Sequence, residues 1–151
     1  MYWGGFEHTV DDKGRVIIPS KFRPQLGEKF IITKGLDHCL FVLTEEDFRT
    51  FFDEKFKAQP FLDKNSIMLQ RFFCAEAIDA NLDNQGRVAL SPHLRDWAMI
   101  ETQSDVSIVG MTNHVEIWNK KRWSEFVRGI SEESLMASAE ATGVGKGLFH
   151  A

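Results

Sequence analysis

A chain of 151 residues, 43% apolar and 26% charged, with thirteen Phe and four Trp against four Pro, can bury enough surface to offset chain entropy. That excludes disordered and collagen-like classes and leaves one or two small globular domains. Apolar runs such as CLFVL at 39–43 are far shorter than the roughly twenty residues of a membrane span. The first residues lack the basic start, apolar run and cleavage site of a secretory signal, so a cytoplasmic protein is expected. The net charge of −4 gives no support to nucleic-acid binding by itself. It is segregated, however: residues 8–34 carry six basic and three acidic side chains, and residues 44–57 carry three basic and five acidic.

In chain order, an alternating strand runs into a D-x-x-G-R turn at 11–15, and a return strand over 16–18 is broken by Pro19. A short helix is predicted over 20–26 and strands over 29–33 and 40–43. An amphipathic helix follows, with Asp47, Phe48, Phe51, Phe52 and Phe56 at helical spacing. After a loop from Pro60, IMLQRFFCAEA reads as a helix linking two halves. A second strand, a turn at 83–87, a return strand over 88–90 and a helix over 92–99 come next. Strands over 105–109 and 115–118 and a helix carrying Trp123, Phe126 and Val127 complete the pattern. The tail, Gly- and Ser-rich from Gly143, reads as mobile.

This order is a repeat. A shift of 72 lays HTVDDKGRVIIPSKFR on ANLDNQGRVALSPHLR, matching Asp11 with Asp83, Gly14 with Gly86, Arg15 with Arg87, Val16 with Val88 and Arg23 with Arg95. A shift of 76 lays His38 on His114 and Phe41 on Ile117. The expected domains are 6–50 and 77–123, joined by a helical linker at 51–76 and followed by a C-terminal helix and tail at 124–151. Gly14 and Gly86 supply the positive φ that a tight turn needs.

Two readings of the turns stand on the residues alone. In one, Asp11–Arg15 and Asp83–Arg87 are ion pairs that brace the turn and contribute about 0–1 kcal/mol each. In the other, each Asp orients an Arg fork for a phosphate or a guanine edge. Duplication favours the second, because two basic turns related by a pseudo-twofold axis can address a duplex as a dimer does. A paired-carboxylate hydrolase is disfavoured, since each Asp is followed by polar turn residues and a positive Arg. No GxSxG, Walker loop or HExxH occurs, and the five His show no metal-ligand spacing. No enzyme, metal or cofactor is therefore expected. His38 and His114 read as turn residues, Cys39 and Cys74 as buried reduced thiols, and 120–122 (KKR) as a solvated helix face.

The segments GGFEHTVDDKGRVIIPSKFR, LDNQGRVALSPHLR and NHVEIWNKKRW resemble the MraZ family of bacterial transcription regulators over about residues 1–127. The resemblance rests on two D-x-x-x-R motifs at this separation. It implies an α+β chain in which two SpoVT-AbrB-type subdomains form a pseudo-twofold duplicated β-barrel of interlocked β-hairpins with flanking helices. It also implies a nucleoid-associated repressor of the division and cell-wall gene cluster that includes its own gene, assembled as a homo-oligomeric ring on double-stranded DNA with repeated operator sites. Carried over, the DNA-reading residues are Arg15 and Arg87, with Lys13 and Gln85 in the same turns. Asp11, Gly14, Asp83 and Gly86 hold the turns, and Lys21, Arg23 and Arg95 are candidate secondary phosphate contacts. The second turn lacks the lysine of the first, so unequal grip is expected. The alternatives are an oligomeric structural or interaction module without DNA specificity, and an antitoxin-like protein acting through its tail.

Overall fold

Alternating and β-branched segments produce eight strands in the computed structural model, which describes residues 1–146. They are β1 (Gly5–Thr9), β2 (Arg15–Ile17), β3 (Lys29–Lys34), β4 (Leu40–Leu43), β5 (Ile78–Asn81), β6 (Arg87–Ala89), β7 (Asp105–Gly110) and β8 (Val115–Asn119). Six form an antiparallel sheet in the order β1-β7-β8-β4-β3-β5, and β2 pairs with β6 in a separate two-stranded ribbon. In terms of the repeat this order is a palindrome, with β1 equivalent to β5, β7 to β3 and β8 to β4. The result is an α+β fold built on antiparallel pairing.

The copies exchange partners. β1 of copy one pairs with β7 of copy two, and β5 of copy two pairs with β3 of copy one. The turn at 11–15 therefore does not join two strands of a self-contained hairpin. Asp11 N donates to Arg15 O at 2.9 Å, and beyond that single rung the strands diverge toward the other copy. Each strand finds its ladder there while Val16 and Val88 turn inward into the core.

Six helical segments lie in the unit Met1–Lys120: α1 (Arg23–Leu26), α2 (Glu45–Phe48), a π-helical stretch (Arg49–Asp53), α3 (Glu54–Lys57), α4 (Lys64–Cys74) and α5 (Pro92–Ala98). Caps explain where the longer ones start. Thr44 Oγ1 accepts from Asp47 N, Asp63 accepts from Ser66 N at 2.8 Å, and Ser91 caps α5 ahead of Pro92. The predicted 20–26 helix contracts to α1, because Phe22 N already bonds Pro19 O in a turn. Phe48, Phe52 and Phe56 stack along one side at 4.8 and 6.1 Å, and Phe52 lies 4.6 Å from Phe73 of α4.

The core lies between the sheet, the ribbon and the short helices. Val16, Ile18, Phe22 and Leu26 of copy one meet their equivalents Val88, Leu90, Leu94 and Ala98. Burial of a side chain such as Phe22 or Leu94 contributes about 1.5–3 kcal/mol. Cys39 is buried as expected. Cys74 is exposed, since the last residue of α4 faces outward, away from the Phe73 side.

The second unit begins at Lys121. It holds most of α6 (Lys120–Arg128), where Trp123 and Phe126 stack at 5.6 Å, and a helix the tail did not suggest, α7 (Glu132–Thr142). Ser131 and Ser134 form a reciprocal capping box, and Gly143 closes the helix at φ +74°. Residues 147–151, the end of the predicted mobile tail, lie outside the described residues.

Candidate nucleic-acid interface

The two turns are built alike by their aspartates. Asp11 Oδ1 accepts the backbone N–H groups of Lys13 and Arg15 at 2.9 and 2.8 Å, and Oδ2 accepts Arg15 Nε at 2.7 Å. Asp83 repeats this on Gln85 N and Arg87 N, both at 2.9 Å, and on Arg87 Nε at 2.8 Å. The Asx geometry needs a left-handed residue inside the loop, and Gly14 and Gly86 provide it at φ +77° and +74°. Each carboxyl is held below its ordinary 3.8, first by the N–H of Arg15 or Arg87 and then by the same residue's guanidinium.

Strand alternation then decides what faces out. Val16 and Val88 are buried opposite one another, so Arg15, Ile17, Arg87 and Ala89 lie on the other face of the ribbon. Both arginines are partly exposed, and Lys13 and Gln85 are exposed at the turns. The arginines converge: Arg87 Nη1 reaches within 3.7 Å of Asp11 Oδ2, the oxygen already bonded to Arg15.

Arg23 and Arg95 have a different setting. Arg23 Nε donates to Ile18 O at 2.7 Å, and its guanidinium lies against Gly86 of the other copy. Arg95 Nε donates to Leu90 O at 3.2 Å and lies against Gly14. Each braces the opposite copy's turn, beside the backbone bonds Ile18 N to Gly86 O and Leu90 N to Gly14 O at 2.9 Å. The Lys21 ammonium sits 4.3 Å over the Trp3 ring.

Sequence reasoning missed Ile17, 37% exposed on the arginine face and opposite Arg87. The period of two along R-V-I carried that signal. His38 and His114 lie in bends ahead of the equivalent strands β4 and β8, as expected. The His114 ring also bonds Glu116 at 2.9 Å, and Glu116 accepts from Trp118. Among the described residues no group of three His, Cys, Asp or Glu could hold a metal, and no helix is long and apolar enough to cross a membrane.

The chain matches the family model described as "MraZ protein, putative antitoxin-like" twice, at residues 1–72 and 73–144, one match per repeat. It is 48% identical to the transcriptional regulator MraZ of Caldanaerobacter subterraneus subsp. tengcongensis over 126 residues, 83% of this chain and 86% of the relative. It is 42% identical to the transcriptional regulator MraZ of Acetivibrio thermocellus over 146 residues, 95% of this chain and all of the relative. Among solved structures it is loosely similar to a solution structure from Pyrococcus horikoshii, at 17% identity and TM-score 0.33, covering 76% of this chain and 94% of that one. The relatives' name denotes a transcriptional regulator, which is not an enzyme class.

Proposed function

Because this chain belongs to the MraZ family, we propose that it is a sequence-specific DNA-binding transcriptional regulator whose two D-x-x-G-R turns read a duplex. The observation that carries this is the convergence of Arg15 and Arg87 on one exposed ribbon face, each guanidinium held by an aspartate of its own turn. A fork fixed in advance loses little entropy when it meets a guanine edge or a phosphate. Ile17 and Ala89 on the same face suit contact with a thymine methyl.

The palindromic strand order, with first strands exchanged between copies, supports two interlocked SpoVT-AbrB-type subdomains at 6–50 and 77–123, closed as a duplicated barrel. Phe61, Leu62 and Met68, exposed at 91%, 77% and 61%, support assembly into a homo-oligomeric ring, since exposed apolar surface of this kind is commonly covered by association. A ring would gather the basic turns on one side while the chain stays acidic overall. The regulated genes would be the division and cell-wall cluster that includes its own gene, under repression, by a protein resident on the nucleoid. Lys21, Arg23 and Arg95 would add phosphate contacts at the margin of the ribbon.

The test is a mobility shift on duplex DNA from upstream of the protein's own gene and on a scrambled duplex of equal length, at two salt concentrations. Base reading predicts that the preference for the upstream duplex survives the higher salt while overall affinity falls. Equal binding to both duplexes at both salts would leave an oligomeric module without DNA specificity.

A further inference from the structure

The two turns are related by pseudo-symmetry, but their ion pairs are not. Asp11 Oδ2 bonds Arg15 Nε at 2.7 Å and also faces Arg87 Nη1 at 3.7 Å. Arg87 is thereby bridged between two carboxylates, since Asp83 Oδ2 holds its Nε at 2.8 Å. Among the described residues no reciprocal ion pair joins Arg15 to Asp83. Arg15, Asp11 and Arg87 are 24–31% exposed and Asp83 36%, so the charges around Asp11 are less screened than on open surface. With its aspartates in place this set of four is neutral, and Asp11 is the charge that lets two cationic forks stand side by side.

We propose that Asp11 is the positioning residue for both reading arginines, whereas Asp83 serves Arg87 alone, so that the two halves recognise DNA as one coupled unit through a single carboxylate. This rests on the DNA-binding reading above. Loss of Asp11 would release Arg15, remove one of the two anchors of Arg87 and leave the guanidinium groups repelling each other. Loss of Asp83 would leave Arg15 untouched and Arg87 still facing Asp11. The chain would thus tolerate damage to its second turn better than to its first, although either turn alone has the same hydrogen bonds.

Asn is the informative replacement. Its amide oxygen keeps the acceptor for the Lys13 and Arg15 N–H groups, so the turn persists, while its amide nitrogen replaces the oxygen that both guanidinium groups face. The probe is a duplex enriched from a random pool by the wild-type protein, compared with the unselected pool. Fold and assembly are checked by circular dichroism and light scattering. D11N should lose about tenfold or more of its preference for the enriched duplex while binding the unselected pool as well as wild type or better. D83N should lose clearly less. In a double-mutant cycle, the effect of D11N should shrink about threefold or more once Arg87 is already Ala, whereas D83N and R15A should act independently. R87K is a second probe, since lysine keeps the charge but has one ammonium nitrogen in place of the planar fork whose Nε and Nη1 face Asp83 and Asp11 separately; it should lose preference with Asp11 intact. Enrichment of no sequence by the wild-type protein would overturn the DNA reading and this inference together. Enrichment that Arg15→Ala abolishes, with D11N and D83N equal in effect or D11N and R87A additive, would overturn the inference alone.

Discussion

Val16 and Val88 face one another across the two-stranded ribbon, each the middle residue of its strand, with Arg15 opposite Ala89 and Ile17 opposite Arg87. The pseudo-twofold axis therefore passes between two buried valines, and the arginine face lies on the other side of the same strands. Core packing and arginine presentation are two consequences of one alternation. A slip of one residue would bury the arginines and expose the valines.

The turns' glycines should be among the least replaceable residues of the fold. A Cβ on Gly86 would run into the Arg23 guanidinium, which is tied to Ile18 O, and one on Gly14 would stand 2.9 Å from Arg95 Nε. Gly143 has a similar φ of +74° but open space around it. Gly86→Ala should destabilise by about 2 kcal/mol or more, against about 1 kcal/mol for Gly143→Ala. Urea unfolding of the two variants checks this, and an equal cost for both would contradict the bracing role given to Arg23.

Acid should act on the turns through their aspartates. Asp11 and Asp83 are held below the ordinary 3.8 by the N–H of Arg15 or Arg87 first, then by that residue's guanidinium. As pH falls, the unfolded chain takes up protons at these groups before the folded chain does. Their contribution is therefore complete above the ordinary Asp range and is lost as pH falls below it, through the depressed folded values. The stability difference between wild type and the D11N/D83N double variant should be constant from neutral pH down to about 4 and shrink below that. Thermal unfolding across pH 2–7 would contradict this assignment if the difference faded already in the range where histidine titrates.

The repeat made much of this legible. Matching Asp, Gly, Arg and Val at 11/83, 14/86, 15/87 and 16/88 identified both turns and the residues that build them. The strands expected over 29–33, 40–43, 105–109 and 115–118 from local pattern end within one residue of β3, β4, β7 and β8. The partner of each strand was not legible, because alternation marks which face is buried but not which copy supplies the ladder; β1 with β7 and β5 with β3 are long-range choices made by the joint core. The bonds that Arg23 and Arg95 make were not legible either, because the sequence does not show that Ile18 O and Leu90 O come within reach of their Nε atoms. α7 was readable and overlooked: Ser131 followed by Glu132 and Glu133, with Gly143 beyond the last turn, marks both helix ends.

Whether Arg15 reads DNA from the ribbon face is decided by the binding isotherm of Arg15→Ala, measured on duplexes with one and with several operator repeats. Removing an oriented fork should cost about 1–3 kcal/mol on one repeat. The loss should be much larger on several, because every engaged protomer of an assembly loses the same contact. Arg87→Ala should weaken binding less, since its turn carries Gln85 where the first carries Lys13. Unchanged binding by Arg15→Ala, with fold and assembly intact, would contradict the account and leave the turns as braces of the core.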